Sequence, residues 1–398
     1  MGGLGGHIYH LYENPSLSFG QMKSIFHLAI KGELEETYEK LDGQNIVFSY
    51  DLETGTVAFA RNKGDIKTGG MGLKDVQAKW QKLPKVQGAY VGAYNTLQHS
   101  ISKMSDQEAS HVFGPNKNIW YSAEVITAVN PNVINYGRDA VSLHQSGYVF
   151  DKNGNQIENT DVSKNFAALE NLISSTGDSE TKTWDIWKPI IISLKKSKDV
   201  AERYTASLSA IMSKYGMSDG DTMKDFMSAA FIKHALSDYD LSEQEKSFMG
   251  AMFAEEGHKR EKKKKILANF ENQEQAKSLY TLIQQDTKIK KIILKPLEEL
   301  VHGFAVEVLS NTRSLFVSDH EEEVKRLRDT LTQELETLKS SGGEEKLEKL
   351  KASLEKLRGM DNITSSMEGI IFTHNGHTYK LTGNFAPINQ ILGMIRYG

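Results

Sequence analysis

The chain has 398 residues, enough to bury a large core and to divide into two or three domains. Its 39% hydrophobic and 25% charged content is that of an ordinary soluble protein, and a net charge of −4 singles out no class of partner. The absence of cysteine excludes disulfides, thiolate zinc sites and thiol catalysis together.

The opening GGLGG has no strand before it, so it does not qualify as a phosphate-binding glycine loop and reads as a flexible end. The first zone, residues 1–160, is mixed and turn-rich. Asn45–Tyr50 and Thr56–Arg61 flank the turn Glu53-Thr54-Gly55, which predicts a β-hairpin over Lys40–Arg61. Ile119–Val129 is a further strand candidate. Ala140–His144 and Gly147–Phe150 precede the turn Asp151-Lys152-Asn153-Gly154.

The second zone, 161–360, thins in Gly and Pro and spaces its apolar residues three and four apart, predicting helices. Trp184 and Trp187, three apart, are expected on a helix as core or interface residues. Val324, Leu327, Leu331, Leu335 and Leu338 form one leucine stripe. Ser340-Ser341-Gly342-Gly343 interrupts it, and Leu347, Leu350, Leu354 and Leu357 resume it. That pattern predicts an antiparallel helical hairpin, structural or partner-facing. The basic run Lys259–Lys265 is either a solvated helix face or a contact for a nucleic-acid backbone. The single Glu-X-X-His of Glu255-Glu256-Gly257-His258 lacks the second copy a di-metal bundle needs.

In the third zone, 361–398, Gly369–Thr373, Asn375-Gly376 and His377–Leu381 spell a second hairpin. So short a β segment makes no core alone and is expected to pack back on the first zone, which makes the helical zone an insertion.

Five short segments acquire meaning from their order. They are Lys40-Leu41-Asp42-Gly43, Arg61-Asn62, Ala123-Glu124, Glu368-Gly369-Ile370-Ile371-Phe372 and Lys380. Together they resemble motifs I, Ia, III, IV and V of the covalent nucleotidyltransferases, the ATP-dependent DNA and RNA ligases and mRNA capping enzymes. The opening His10-Leu11-Tyr12-Glu13-Asn14-Pro15, with Lys40–Asn45, also has the look of proteins encoded by tailed bacteriophages.

The resemblance implies an α+β, ligase-type adenylation domain of antiparallel sheets in two parts, 1–160 and 361–398. It implies a large α-helical insertion at 161–360 and no C-terminal OB domain. It further implies an ATP-dependent, RNA-ligase-like enzyme that forms lysyl-AMP on Lys40. The nucleotide would be held by Glu39, Arg61, Lys63, Glu124 and Lys380, with Phe150 or Tyr148 as an aromatic lid. Glu368 and Glu124 would place Mg²⁺ or Mn²⁺. Lys40 would need its pKa lowered by neighbouring cations or burial to become nucleophilic.

RNA or DNA ends are the implied partners, with a protein partner for the helical insertion as a further possibility. No membrane role is implied, because no run approaches the roughly 18 apolar residues of a span, and the expected location is cytoplasmic, that of the host if the chain is phage-encoded. Three departures stand out. The second lysine of motif V is missing, with Lys63 a candidate substitute, and Ala123 replaces the usual glycine of motif III. The sequence also closes soon after Lys380. Two other readings follow from the same residues: AMP transfer to a protein or small molecule, or an interaction protein that keeps the fold without turnover.

Overall fold

The computed structural model describes residues 8–129, 131–151, 153–157, 160–175, 184–188, 190–194, 200–255, 257–341, 363–385, 387–389 and 391–392. It is an α+β protein with two sheets. The smaller contains β1 (Tyr38–Lys40), β8 (Gly369–His374) and β9 (His377–Thr382), in the order β1-β8-β9. The larger contains β2 (Gln44–Asp51), β3 (Thr56–Ala60), β4 (Ile119–Ile126), β5 (Ala140–Phe150) and β6 (Gln156–Ile157), in the order β3-β2-β4-β5-β6. β7 (Asp185–Trp187) joins β5 in parallel; the other pairings are antiparallel.

Lys40 is therefore not part of the hairpin expected over Lys40–Arg61. That hairpin is β2–β3 alone, and β1 pairs instead with β8, placing Tyr38 opposite Ile371 and Lys40 opposite Gly369. Leu41-Asp42-Gly43 carries the chain from one sheet to the other. The C-terminal hairpin does return to the first zone, through a tight turn in which Asn375 (φ 50°) and Gly376 (φ 75°) adopt the left-handed backbone that such turns demand. β5 is one strand, where two separate segments were expected, with an irregularity against β4 between Tyr121 and Ala123. Trp184 and Trp187 lie at and within β7, not on a helix. The Trp184 ring abuts Gly92, where a Cβ would fall 2.4 Å from it.

One face of the large sheet is covered by α3 (Leu73–Lys79), α4 (Pro84–Ile101), α5 (Asp106–Phe113) and α6 (Ser163–Ser175), with α2 (Lys63–Lys67) after β3. Alternation sends Ile46, Phe48, Tyr121, Ala123, Val141 and Leu143 into that core. The same alternation leaves Asn45, Ser122, Glu124, Ser142 and His144 on the other face.

The remaining helices are α1 (Phe19–Lys31), α7 (Val200–Lys214), α8 (Met223–Ala235), α9 (Glu243–Ala254), α10 (Lys259–Asn269), α11 (Gln273–Gln284), α12 (Asp286–Ser310) and α13 (His320–Ser341). Reciprocal capping boxes start α1 (Ser18/Gln21), α8 (Thr222/Asp225) and α9 (Ser242/Glu245). The hydrophobic clusters cut across the zones expected from sequence. Phe19, Met22 and Phe26 of α1 share one core with Phe226, Phe304 and Val308 of the helical zone and with Ile370, Phe372 and Leu381 of β8 and β9. Leu327, Leu331 and Leu335 of α13 pack with Leu41, Ile126, Val133 and Phe385, so these three leucines of the stripe are core, with Val324 partly buried beside them. Leu347, Leu350, Leu354 and Leu357 lie outside the described residues.

Candidate functional site

The two sheets meet at Lys40, and the turn that follows it is held from several directions. Asp42 donates its backbone N–H to the Tyr136 hydroxyl (2.9 Å), and its Oδ2 accepts from the N–H groups of Val133 (2.6 Å) and Ile134 (2.9 Å). Asn132 donates to the Gly43 carbonyl at 2.9 Å. A Cβ on Gly43 would lie 2.9 Å from Glu124 Oε2 and 3.0 Å from the Val125 carbonyl, so a side chain here would push against the Glu124 carboxylate. The Asp-Gly pair thus fixes the turn and lets the Glu124 carboxylate close on it.

Lys40 Nζ lies 2.5 Å from Glu368 Oε1, and the two side chains are 21% and 12% exposed. Gly369, opposite Lys40, has no room for a side chain: a Cβ would fall 2.2 Å from the Leu381 carbonyl oxygen. Glu124 reaches the cluster from β4. Its Oε1 lies 3.6 Å from His144 Nε2 on the neighbouring strand, and its Oε2 is buried without a hydrogen-bond partner among the described residues.

The electrostatics differ from expectation. Burial alone would lower the Lys40 pKa, but the carboxylates of Glu368, Glu124 and Asp42 outweigh it and hold the ammonium form above its usual range. The resting amine is protonated, and the cationic field expected to activate it is not what surrounds it. Burial pushes Glu368 up to about 7, with Asp42 and Glu124 adding to the push and Lys40 opposing it. Burial likewise raises Asp42 to about 6 against the two N–H donors it accepts.

Lys380, half-buried on β9, shares Lys40's face of the small sheet, since Tyr38 opposes Ile371 and Ile371 opposes Lys380. Its pKa is lowered by burial first and by the Lys40 charge as well. Arg61 ends β3. Its guanidinium donates to the Tyr90 hydroxyl and lies 5.6 Å from that ring's centre, while its backbone N–H donates to Asp65 (2.8 Å). Burial raises Tyr90 to about 12 against the pull of Arg61, which therefore sits with the helix-covered core of the large sheet.

The other expected nucleotide contacts lie apart. Lys63 begins α2 in solvent, with no hydrogen bond or ion pair among the described residues. Phe150 is 2% exposed, packed with Val47, Ala60, Ile66 and Trp120, and Tyr148 beside it is the more open ring. Glu39 projects from the opposite face of β1. Its Oε1 accepts the Ser314 hydroxyl (2.5 Å) and its Oε2 the Leu315 N–H (2.7 Å), and burial raises it to about 7.

Sequence reasoning missed His144, Tyr136, Ser314 and the Glu323–Arg326 pair. Glu323 Oε1 accepts from Asn135 N–H (3.0 Å), and Arg326 donates to Glu323 and to the Val133 carbonyl (2.8 Å), bracing the loop that holds Asp42. The one available signal was Ser142-X-His144, two polar residues in phase that alternate with the apolar Val141 and Leu143.

No group of three or more metal-ligating side chains occurs among the described residues. The pair Glu124 and Glu368 nevertheless suits a hard divalent cation. Such ions take one or two carboxylates and complete their shell with water and phosphate, and Glu124 Oε2 is a buried acceptor in want of a positive partner. No family model, curated protein or solved structure matches the chain.

Proposed function

We propose that the protein is an ATP-dependent adenylyltransferase of the polynucleotide-ligase type, RNA-ligase-like, with Lys40 as its nucleophile. One observation carries this reading. Lys40, Glu124 and the Glu368 and Lys380 of one β-hairpin, drawn from three distant stretches, converge around a single buried amine where two antiparallel sheets join. That convergence is what the ordered motifs call for, and no packing requirement explains a lysine facing three carboxylates.

In the reaction, Lys40 first passes one ammonium proton to Glu368 Oε1, which is within hydrogen-bond reach and titrates about neutral. The free amine attacks the α-phosphorus of ATP. A P–N bond forms, the bond to the bridging oxygen breaks, and pyrophosphate leaves with its electron pair. The new phosphoramidate nitrogen gives its second proton to water. Lys380, on the same sheet face as Lys40, and Arg61 would meet phosphate oxygens. A divalent cation at Glu124 and Glu368 would supply charge neutralisation for the triphosphate. Transfer of AMP then goes to a nucleic-acid 5′ end, or in the alternative reading to a protein or small molecule.

The experiment is incubation with α-labelled ATP and Mg²⁺ or Mn²⁺, followed by a denaturing gel and peptide mapping. An AMP adduct on Lys40, lost in Lys40→Ala, is the expected result. The resting ion pair favours one competing reading, an interaction protein that retains the fold without turnover. The absence of adduct under either metal across the pH range would establish that reading instead.

A further inference from the structure

We infer that α10 is a docking surface for the phosphodiester backbone of single-stranded nucleic acid. α10 contains six basic residues, Lys259, Arg260 and Lys262–Lys265, and one acidic residue, Glu261, in a chain whose net charge is −4. Its only buried residue is Ile266, so the core does not account for the composition. The lysines recur three and four apart along the helix, a spacing at which like charges repel and weaken it. Lys262 donates to the Glu255 carbonyl, and its pKa is lowered by burial and then by Lys290, against the carboxylates of Glu255 and Asp286. A segment that concentrates repelling cations where packing does not ask for them is complementary to a polyanion.

The residues differ in availability. Lys259 is tied to Asp286 (2.8 Å), Lys262 to the Glu255 carbonyl, and Lys265 lies 3.6 Å from Glu255. Arg260 and Lys264 are exposed and make no hydrogen bond or ion pair among the described residues, and Lys263 lies 5.5 Å over the Tyr280 ring. Among the described residues of α10, Arg260, Lys263 and Lys264 are therefore the cations without a hydrogen bond or ion pair, and these are the ones proposed to meet phosphates. A helix of this length extends about 16 Å, enough to follow several phosphates of one strand. A lipid surface is a poorer match, because helices that lie on membranes set bulky apolar residues beside their cations. The exposed positions of α10 hold Lys, Arg, Glu, Ala and Asn instead.

This surface would present the acceptor to the site proposed above and rests on that reading only for the acceptor's role. The test is fluorescence anisotropy of the full chain with a short labelled single-stranded RNA or DNA, without ATP, between about 50 and 200 mM salt. The variant Arg260→Gln/Lys263→Gln/Lys264→Gln is expected to bind at least about tenfold more weakly. Its log–log salt slope should fall by about two, at roughly 0.7 per phosphate contact, with an unchanged circular dichroism spectrum. Lys264→Gln alone should lose about a third of that slope.

Four results overturn the inference. They are no binding by the parent, an unchanged triple variant, an equal loss in Lys288→Gln/Lys291→Gln/Lys295→Gln on α12, and tighter binding to phosphatidylserine vesicles than to the oligonucleotide. A chain that binds but never forms lysyl-AMP sinks the enzymatic reading alone, and a chain that labels but does not bind sinks this one alone.

Discussion

Glu39 accepts the Ser314 hydroxyl at 2.5 Å, one residue before the amine of Lys40 turns to the other side of the same strand. The segment between α12 and α13 is thereby fastened to β1, and α13 braces the Asp42 loop through Glu323 and Arg326. The helical zone grips both flanks of Lys40. Its removal is expected to disable adenylylation, because the site and the helices are one structure.

Stability should fall as pH rises from mildly acid to neutral. Glu39 and Glu368 are raised to about 7 and Asp42 to about 6. Between the unfolded values near 4 and these folded values, the native state binds more protons than the unfolded chain. Stabilisation from these groups is complete below the unfolded pKa and is lost as pH climbs through the folded one. Thermal unfolding at pH 5.0 and 7.5, values taken as roughly bracketing that window, should give the higher midpoint in acid. Glu39→Gln, which cannot ionise, should show a shallower decline. A midpoint that rises toward neutrality would refute the assignment.

Removing Lys40 should destabilise the protein more at pH 8 than at pH 6, pH values chosen to lie about one unit either side of the Glu368 midpoint. Lys40→Met leaves three acidic groups without their cation, a loss on the order of 3 kcal/mol for a buried pair. The double variant Lys40→Met/Glu368→Gln should recover part of it. Urea unfolding of the parent, single and double variants measures the coupling.

If Glu368 accepts the lysine proton, the adenylylation rate should rise with pH through a single ionisation, below about 7 in so far as a cation on Glu368 lowers it. Glu368→Gln should abolish that ionisation and slow the reaction by about 10²- to 10⁴-fold. A variant that keeps the same profile would assign the ionisation elsewhere.

Gly43→Ala tests the turn. Its Cβ must displace either the Glu124 carboxylate or the Val125 carbonyl. A stability loss of about 1–3 kcal/mol is expected, with adenylylation falling further than stability alone explains. Calorimetry alongside a labelling time course separates the two.

The elements that local chemistry dictates were legible. Asn375-Gly376 specified the β8–β9 turn, Glu53-Thr54-Gly55 the β2–β3 turn, and the spacing of Leu327, Leu331 and Leu335 marked α13. The exchange of sheets at Lys40 was not legible, since a strand of three residues shows no period and its pairing is decided by β8, far along the chain. Trp184 and Trp187 followed a helical spacing by coincidence in a segment too short to test it. The site was read from motif order, which placed Lys40, Glu124, Glu368 and Lys380 together. It could not foresee that the carboxylates would hold the amine charged, nor that Glu39 would face away, because both depend on tertiary neighbours such as Asp42 and Leu315.

The pairing of β1 with β8 also bears on how the protein is made. A ribosome releases Tyr38–Lys40 long before Gly369–Ile371, so until β8 emerges β1 has no sheet to join. Contacts of such sequence separation form late and slowly. The nascent chain can complete the α3–α6 layer over β2–β5 while Lys40 remains solvated and away from Glu368. The role proposed for Lys40 would therefore wait for β8 to emerge, and a chain stalled before Glu368 would carry Lys40 without its ion-pair partner.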